Sequence, residues 1–162
     1  VMTMSNSVGL MLPSCGNRRE TATGYATLYG DMAGGFAVIK DVLKTLVYAL
    51  CTDLNARAGH DVIPQAVLDK PPSAELRPDQ KDTDSLPPYD ILDAILRAYI
   101  EELKAPQQIA DELNLPLALV KDLALKVDRN EYKRQQAAPG LKVNTKAFGN
   151  GRRFPLPQGD SE

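Results

Sequence analysis

A carboxylate, Glu20, follows a short apolar run at a position where a β-strand could end. The run Val8–Ser14, interpreted as a buried strand, leads directly into the polar turn Cys15–Glu20. Open α/β sheets bind ligands just beyond the carboxyl ends of their strands. A carboxylate at that place could bind Mg²⁺ beside a nucleotide phosphate. It could also be an acidic residue that stabilises a helix N-terminus, and the pattern alone favours this second interpretation.

The segment after this turn is rich in glycine. Four glycines fall within the thirteen residues Gly24–Phe36, around Asp31, and such a density predicts a shaped loop rather than a helix or strand. The order of residues is not that of a P-loop, and it is only a weak signal for dinucleotide binding. Lys40 and Lys44 follow an expected second strand at 37–39. Either lysine could neutralise a phosphate, or both could lie on the solvated face of a starting helix.

Apolar periodicity predicts the elements that must position these residues. The clearest helix is Asp90–Leu103, where the spacing buries one face that includes Leu103. Further helices are predicted at Lys44–Asn55, Pro64–Leu68, Pro106–Leu113 and Pro116–Arg134. Residues 71–88 form a proline-rich loop, and residues 140–162 form an extended or partly disordered tail.

The helices over residues 106–127 have the spacing of a helix-turn-helix, which raises a DNA-binding alternative. Residues 116–134 carry five basic and three acidic side chains, a net charge of only +2, and Asp122 would face phosphates in a recognition helix. A packed helix pair without nucleic acid is therefore the favoured interpretation.

Composition excludes several classes of protein. The 162 residues carry a formal net charge of −2, which excludes a globally basic nucleic-acid binder. One histidine excludes a multi-histidine metal centre. Two cysteines without CxxC spacing exclude a disulfide framework or thiolate zinc site and favour a cytoplasmic location. No apolar run approaches the length of a membrane span, so no membrane association is expected.

Several long blocks of the chain closely resemble glutamine-dependent NAD synthetases. They occur in the order found in that family, and they are Gly24–Val42, Lys70–Tyr89, Asp128–Arg134 and Pro139–Val143. The resemblance implies an α/β fold: the C-terminal, mostly helical part of a PP-loop ATP-pyrophosphatase domain, with few parallel strands. Residues 1–139 would be the partial synthetase domain. A homodimer is also implied.

The family joins ammonia to deamido-NAD in two steps. ATP and Mg²⁺ adenylate the nicotinate carboxylate with release of pyrophosphate, and ammonia taken from glutamine then displaces AMP to give NAD. The resemblance therefore implies ATP and Mg²⁺ as cofactors and deamido-NAD as substrate.

The resemblance also assigns site residues by position. Residues at ATP are Cys15, Lys44 and Ser73; residues at deamido-NAD are Glu20, Asp31, Tyr132 and Lys133. Glu20 is in addition the residue associated with Mg²⁺.

The turn at residues 15–20 departs from the family pattern Thr-Gly-Asn-Lys-Ser-Glu. Cys15 replaces a threonine hydroxyl by a thiol, a weak hydrogen-bond partner, and Arg19 places a bulky cation where the family has serine. Both changes are expected to weaken nucleotide binding.

Two parts of the family's machinery are absent from these 162 residues. They are the Ser-Gly-Gly-x-Asp-Ser loop that holds ATP phosphates and the glutaminase with its Cys-Glu-Lys triad. Because catalysis needs both halves of the phosphate site in place, we expect this polypeptide alone to be inactive, unless a missing N-terminal half or a glutaminase joins it. The alternative is a non-catalytic module that dimerises or senses a ligand.

Overall fold

Helices make up most of the structure, a computed structural model that describes residues 1–70, 86–149, 151–152 and 155. The helices are α1 (Met2–Val8), α2 (Arg18–Thr23), α3 (Lys44–Ala58), α4 (Gln65–Asp69), α5 (Tyr89–Leu96), α6 (Pro106–Leu113), α7 (Leu117–Arg129) and α8 (Glu131–Gln135). The strands are β1 (Pro13–Ser14) and β2 (Phe36–Ala37). A π-helical turn, Arg97–Glu101, continues α5.

The core lies where α5, the π-helical turn, α6 and α7 pack together, as their apolar periodicity predicts. Its most deeply buried side chains are Leu92, Ile95, Leu96, Ile100, Ile109, Val120, Leu123 and Val127. Each such side chain contributes about 1.5–3 kcal/mol on burial. The prediction that Leu103 belongs to this face is wrong. The π-helical turn ends before Leu103. The φ of Leu103 is +57°, and its side chain is 65% exposed.

The helices α6 and α7 form a packed pair whose apolar faces belong to the core. Val120 and Leu123 of α7 are buried in it. The opposite face of α7 carries Asp122 and Lys126, whose side chains form an ion pair at 2.8 Å. The helix pair over residues 106–127 is therefore part of the hydrophobic core, as the favoured interpretation predicts.

The two strands pair in parallel, with Pro13 opposite Phe36 and Ser14 opposite Ala37. Both are shorter than predicted. Residues 8–14 do not form one strand, because Val8 ends α1, and Gly9 closes that helix with a φ of +68°. A short apolar run does not distinguish a strand from the end of a helix. The predicted strand at 37–39 extends only over Phe36–Ala37, one residue earlier.

Residues 140–149, which belong to the described part of the predicted tail, pack against the rest of the molecule. Gly140 forms a parallel bridge with Ala37 and so extends the sheet by one position. The buried carboxylate of Asp41 accepts hydrogen bonds from the backbone N–H groups of Val143 and Asn144, both at 2.7 Å. The ring of Phe148 is buried in the core.

The helix α3 forms where it is predicted and ends at Gly59, which has a φ of +70°. Its apolar stripe, however, is not buried: Leu46, Leu50 and Leu54 are all substantially exposed, Leu50 by 51%. Periodicity identifies a helix but does not show whether a partner covers it. No helix within the described ranges has both the length and the apolar character needed to span a membrane.

Candidate functional site

A cleft opens beyond the carboxyl end of β1, between the turn at residues 15–17, the glycine-rich loop 24–36 and helix α8. Its lining is Ser14, Gly16, Glu20, Thr21, Gly24, Ala26, Asp31, Met32, Ala37, Lys40, Lys133, Arg134 and Ala137. The cavity within this cleft has a volume of about 30 Å³, which has room for about two water molecules. A larger ligand would therefore lie along the open cleft and place only a small polar group inside.

Glu20 lies at the third position of α2 and closes a capping box with Asn17. The Asn17 side-chain oxygen accepts from the backbone N–H groups of Arg19 and Glu20, at 2.9 and 3.1 Å. In return, Glu20 accepts from the backbone N–H of Asn17 at 3.0 Å and from its Nδ2 at 2.7 Å. The helix-terminal role that the sequence pattern favours is therefore confirmed, and the same carboxylate lines the cleft.

The pKa of Glu20 is raised above its ordinary value. Burial is the main cause, because it disfavours the charged form; the Asn17 hydrogen bonds and the positive charges of Lys44 and Arg19 oppose it. Because burial disfavours the charged form of Glu20, a further positive group bound beside it would stabilise that charged form.

Lys133 fixes α8 to the glycine-rich loop. Its Nζ donates to the carbonyl oxygens of Gly24 and Ala26, at 2.7 and 2.9 Å. The loop approaches closely here, since a Cβ on Gly24 would lie 1.9 Å from Oδ1 of Asn130. Gly24 also has a φ of +70°, so glycine is required on both grounds.

Asp31 lies at the exposed mouth of the cleft. Its carboxylate accepts a hydrogen bond from the backbone N–H of Thr27 at 2.6 Å, which folds the loop locally. Tyr132 precedes Lys133 on α8, but its ring does not line the cleft and is 45% exposed. Of the four residues assigned to the dinucleotide, the cleft therefore brings together Glu20, Asp31 and Lys133.

Of the residues assigned to ATP, the two that the structure describes lie near the cleft but do not line it. Cys15 is exposed in the turn between Ser14 and Gly16, both of which line the cleft. Lys44 begins α3, and its charge acts on Glu20; its Nζ lies 5.5 Å from the centroid of the Tyr48 ring. Ser73 lies outside the described residues.

The two arginines of the unusual turn point away from the cleft. Arg18 is fully buried, with Nη1 2.9 Å from a Glu101 carboxylate oxygen and 3.5 Å from Oδ1 of Asp41. Arg19 is also fully buried, and its guanidinium lies 4.2 Å from the centroid of the Tyr89 ring. Arg19 is next to Glu20, as the sequence indicates, and its charge acts on that carboxylate. Its guanidinium stacks on an aromatic ring in the interior and does not line the cleft; its effect on nucleotide binding stays a prediction.

Two charged cleft residues have no assignment from the resemblance. Arg134 is buried; it pairs with Glu131 at 3.0 Å and donates to the carbonyl oxygen of Ala22 at 2.9 Å. Lys40 donates to the carbonyl oxygen of Ala138 at 2.7 Å. The sequence shows Lys40 as a possible phosphate-binding residue, but only the fold shows that it lines the same cleft as Lys133. Arg134 looks like the basic end of a helix, and nothing in its local pattern indicates burial.

No cluster that could hold a metal by itself is present among the residues that the structure describes, since no three His, Cys, Asp or Glu side chains are suitably grouped. Glu20 is a single carboxylate with lone pairs beyond those used by Asn17. It suits Mg²⁺, which is commonly held by one or two carboxylates together with phosphate oxygens and water.

Comparison with known proteins identifies close relatives. The sequence profile of the family described as NAD synthase matches residues 1–137. A glutamine-dependent NAD(+) synthetase of Thermotoga maritima is 51% identical over 156 residues, which are 96% of this chain and 27% of that protein. The corresponding protein of Acinetobacter baylyi is 52% identical over 159 residues, 98% of this chain and 29% of its own.

Similarity extends to structure. The crystal structure of a glutamine-dependent NAD(+) synthetase from Cytophaga hutchinsonii superposes with a TM-score of 0.73 at 25% identity, covering 98% of this chain and 26% of that one. The chain therefore spans less than a third of the length of the relatives it matches.

Proposed function

The chain belongs to the NAD synthase family, and we propose that it carries part of the site that binds deamido-NAD and ATP for the amidation of deamido-NAD to NAD. One observation carries this proposal. The family resemblance assigns Glu20, Asp31 and Lys133 to the dinucleotide. Lys133 is far from the other two in the sequence, yet all three line one cleft. This cleft lies beyond the carboxyl end of a parallel strand, where α/β sheets bind nucleotides.

The chemistry needs an activated carboxylate. A free carboxylate is a poor acyl donor, whereas AMP leaves readily from a mixed anhydride. The Nζ of Lys133 has one N–H beyond those given to Gly24 and Ala26, and this N–H is available to an anionic substrate. Lys44 supplies a second positive charge near Glu20. Together these ammonium groups would stabilise negative charge as it develops on phosphate oxygens.

Mg²⁺ is the ion that the family uses with ATP, and Glu20 is the residue we assign to it. When bound, it would neutralise charge on the ATP phosphates. The capping box holds the Glu20 carboxylate in place before any ligand arrives, so its orientation is fixed by α2.

The site is proposed to be partial within the PP-loop ATP-pyrophosphatase fold. The 162 residues do not include a Ser-Gly-Gly-x-Asp-Ser loop or a glutaminase triad. We therefore expect the polypeptide to bind deamido-NAD but to form NAD only when a polypeptide that supplies the phosphate loop is present. Glutaminase activity would come from a further domain, and the reaction would take place in the cytoplasm.

A homodimer is the second part of the proposal, and the exposed stripe of α3 supports it. Leu46, Leu50 and Leu54 present a leucine surface on one face of the longest helix in the described part of the chain. Contiguous exposed apolar residues of this kind are typical of protein interfaces. A second copy of the chain would cover them.

The test is a binding measurement combined with a turnover assay. We expect calorimetric titration with deamido-NAD to show binding. Glu20→Gln should weaken this binding by about tenfold or more, because a hydrogen bond between the ligand and the charged Glu20 carboxylate is lost. Asp61→Asn removes an exposed carboxylate elsewhere and should have no effect. With ATP, Mg²⁺ and excess ammonia, which bypasses the glutaminase, the isolated chain should give no NAD.

Three outcomes decide between the alternatives. Failure to bind deamido-NAD would overturn the proposed site. Turnover by the isolated chain would show that its site is complete. Dimerisation without nucleotide binding would instead support a non-catalytic dimerising module.

A further inference from the structure

We propose that Lys40 is a second anion-binding residue of the cleft, acting with Lys133 on the phosphates that join the two halves of the dinucleotide. The inference rests on the proposed function and adds a residue that the family resemblance does not assign. It depends on the placement of two ammonium groups, on the N–H donors that these groups have left for a ligand, and on how firmly the Lys40 side chain is held.

The two ammonium groups line the same cleft from different elements. Lys40 comes from the segment after β2, and Lys133 comes from α8. The Nζ of Lys40 donates to the carbonyl oxygen of Ala138 at 2.7 Å, whereas the Nζ of Lys133 donates to two carbonyl oxygens of the loop. An ammonium has three N–H donors. Lys40 therefore retains two and Lys133 one for a ligand.

Neither charge is neutralised by a neighbouring carboxylate. Across the described ranges, no Asp or Glu oxygen lies within 4.0 Å of either Nζ. Asp41, the residue next to Lys40, instead faces Arg18 and accepts the backbone N–H groups of Val143 and Asn144. Arg134, the other cation of the cleft, is paired with Glu131.

The acidic residues of the cleft accept hydrogen bonds from donors other than the two lysines. The Glu20 carboxylate is held by Asn17, and the Asp31 carboxylate is held at the mouth by Thr27. The cleft thus has two cationic groups, Lys40 and Lys133, that no carboxylate among the described residues pairs with, and carboxylates bound to their own local N–H donors. A pyrophosphate bridge has several oxygens that can contact two ammonium groups at once.

Burial supports the same conclusion. Lys40 is partly buried, and desolvation lowers its pKa, an effect that Asp41 opposes. A partly buried ammonium that lacks a carboxylate partner regains favourable interactions when an anion binds.

The stem of Lys40 is held in place before a ligand binds. The segment 138–140 lies directly on it: a Cβ on Gly140 would be 2.8 Å from Cδ of Lys40 and 2.2 Å from the carbonyl oxygen of Ala37. The backbone N–H of Ala37 donates to the carbonyl oxygen of Pro139 at 2.8 Å. Lys40 therefore loses little side-chain entropy on binding, which favours affinity.

The experiment compares Lys40→Met with Lys142→Met. Methionine keeps an apolar stem against Gly140, so the variant should fold, and circular dichroism checks this. Lys142 is exposed on the same closing segment, so its replacement changes net charge equally without touching the cleft. Binding of deamido-NAD and of inorganic pyrophosphate is measured by calorimetry for both variants and the wild type.

We expect Lys40→Met to weaken deamido-NAD binding by about tenfold and Lys142→Met to leave it unchanged. The difference should shrink as salt rises from about 0.05 to 0.5 M, because screening weakens ionic contacts. Equal affinity of Lys40→Met and wild type for both ligands would overturn the inference and leave the proposed function intact.

Two further outcomes are distinguishable. If the wild type binds pyrophosphate through Lys40 but does not bind deamido-NAD, Lys40 is an anion site and the proposed function fails. If the wild type binds neither ligand, both are overturned.

Discussion

The Nζ of Lys133 lies 2.7 Å from the carbonyl oxygen of Gly24, and this hydrogen bond connects the last described helix to the start of the glycine-rich loop. A second bond, to the carbonyl oxygen of Ala26, is 2.9 Å long. The residue that the family resemblance assigns to substrate is thus also a structural residue of the cleft.

Replacing Lys133 by methionine should destabilise the protein as well as weaken binding. Two charge-assisted hydrogen bonds are lost, and because the side chain is only partly buried we expect a decrease of about 1–2 kcal/mol in the free energy of unfolding. Urea denaturation measures this. Lys121→Met, on the exposed face of α7, is the control, and an equal effect of both variants would contradict the structural role.

Gly24 and Gly59 offer a matched comparison of strain and steric fit. Both have a φ of +70°, but a Cβ on Gly24 would collide with Asn130, whereas one on Gly59 would meet nothing within 4 Å. We expect Gly59→Ala to cost about 1 kcal/mol of stability and Gly24→Ala about 3 kcal/mol or more. Thermal and urea unfolding test the pair, and similar costs would show that Asn130 yields without penalty.

Glu20 should make stability depend on pH in a defined direction. Its pKa in the folded protein is raised above the ordinary value of 4.5, so the native state binds the proton more tightly than the unfolded state. The stability that this carboxyl contributes is fully present below its unfolded pKa and is lost as pH rises through its folded pKa.

The measurement is the free energy of unfolding of wild type and Glu20→Gln at several pH values between about 3 and 7. Wild type should lose stability relative to the variant as pH rises through this window. A difference that stays constant, or that changes in the opposite direction, would show that hydrogen bonds from Asn17 outweigh burial.

The proposed dimer predicts that Leu50→Glu dissociates the protein, because a charge would be buried in the α3 interface. Ala49→Glu, the neighbouring exposed position on the same helix, adds the same charge beside the leucine stripe and should leave the dimer intact. Sedimentation velocity over a range of concentrations distinguishes the two. A wild-type chain that remains monomeric throughout would exclude the interface.

The helical part of the fold could be predicted because its periodicity is long and regular. The helices at 89–96 and 117–129 form where Leu92, Ile95, Val120 and Leu123 indicate a buried face. The strands could not be delimited, because each is two residues long and an apolar run such as 8–14 contains both the end of one helix and a complete strand. Exposure of Leu50 depends on which surface covers α3, and no local pattern encodes that.

In the candidate site, too, residues in local motifs could be predicted, whereas contacts between distant segments could not. Glu20, Asp31 and Lys133 could be named from family motifs that are contiguous in the sequence. The bond from Lys40 to Ala138 and the burial of Arg19 against Tyr89 could not, because each contact joins segments that only the tertiary structure brings together.

The segments that line the cleft are distant in the sequence, so they leave the ribosome at different times. Glu20 and the glycine-rich loop are synthesised well before Lys133 and the 138–140 segment that lies on Lys40. Closing so long a stretch carries an entropic cost that local helices do not have. The helical core can therefore assemble while the cleft is still open, and a nascent chain has no complete cleft until residues 133–140 have been made.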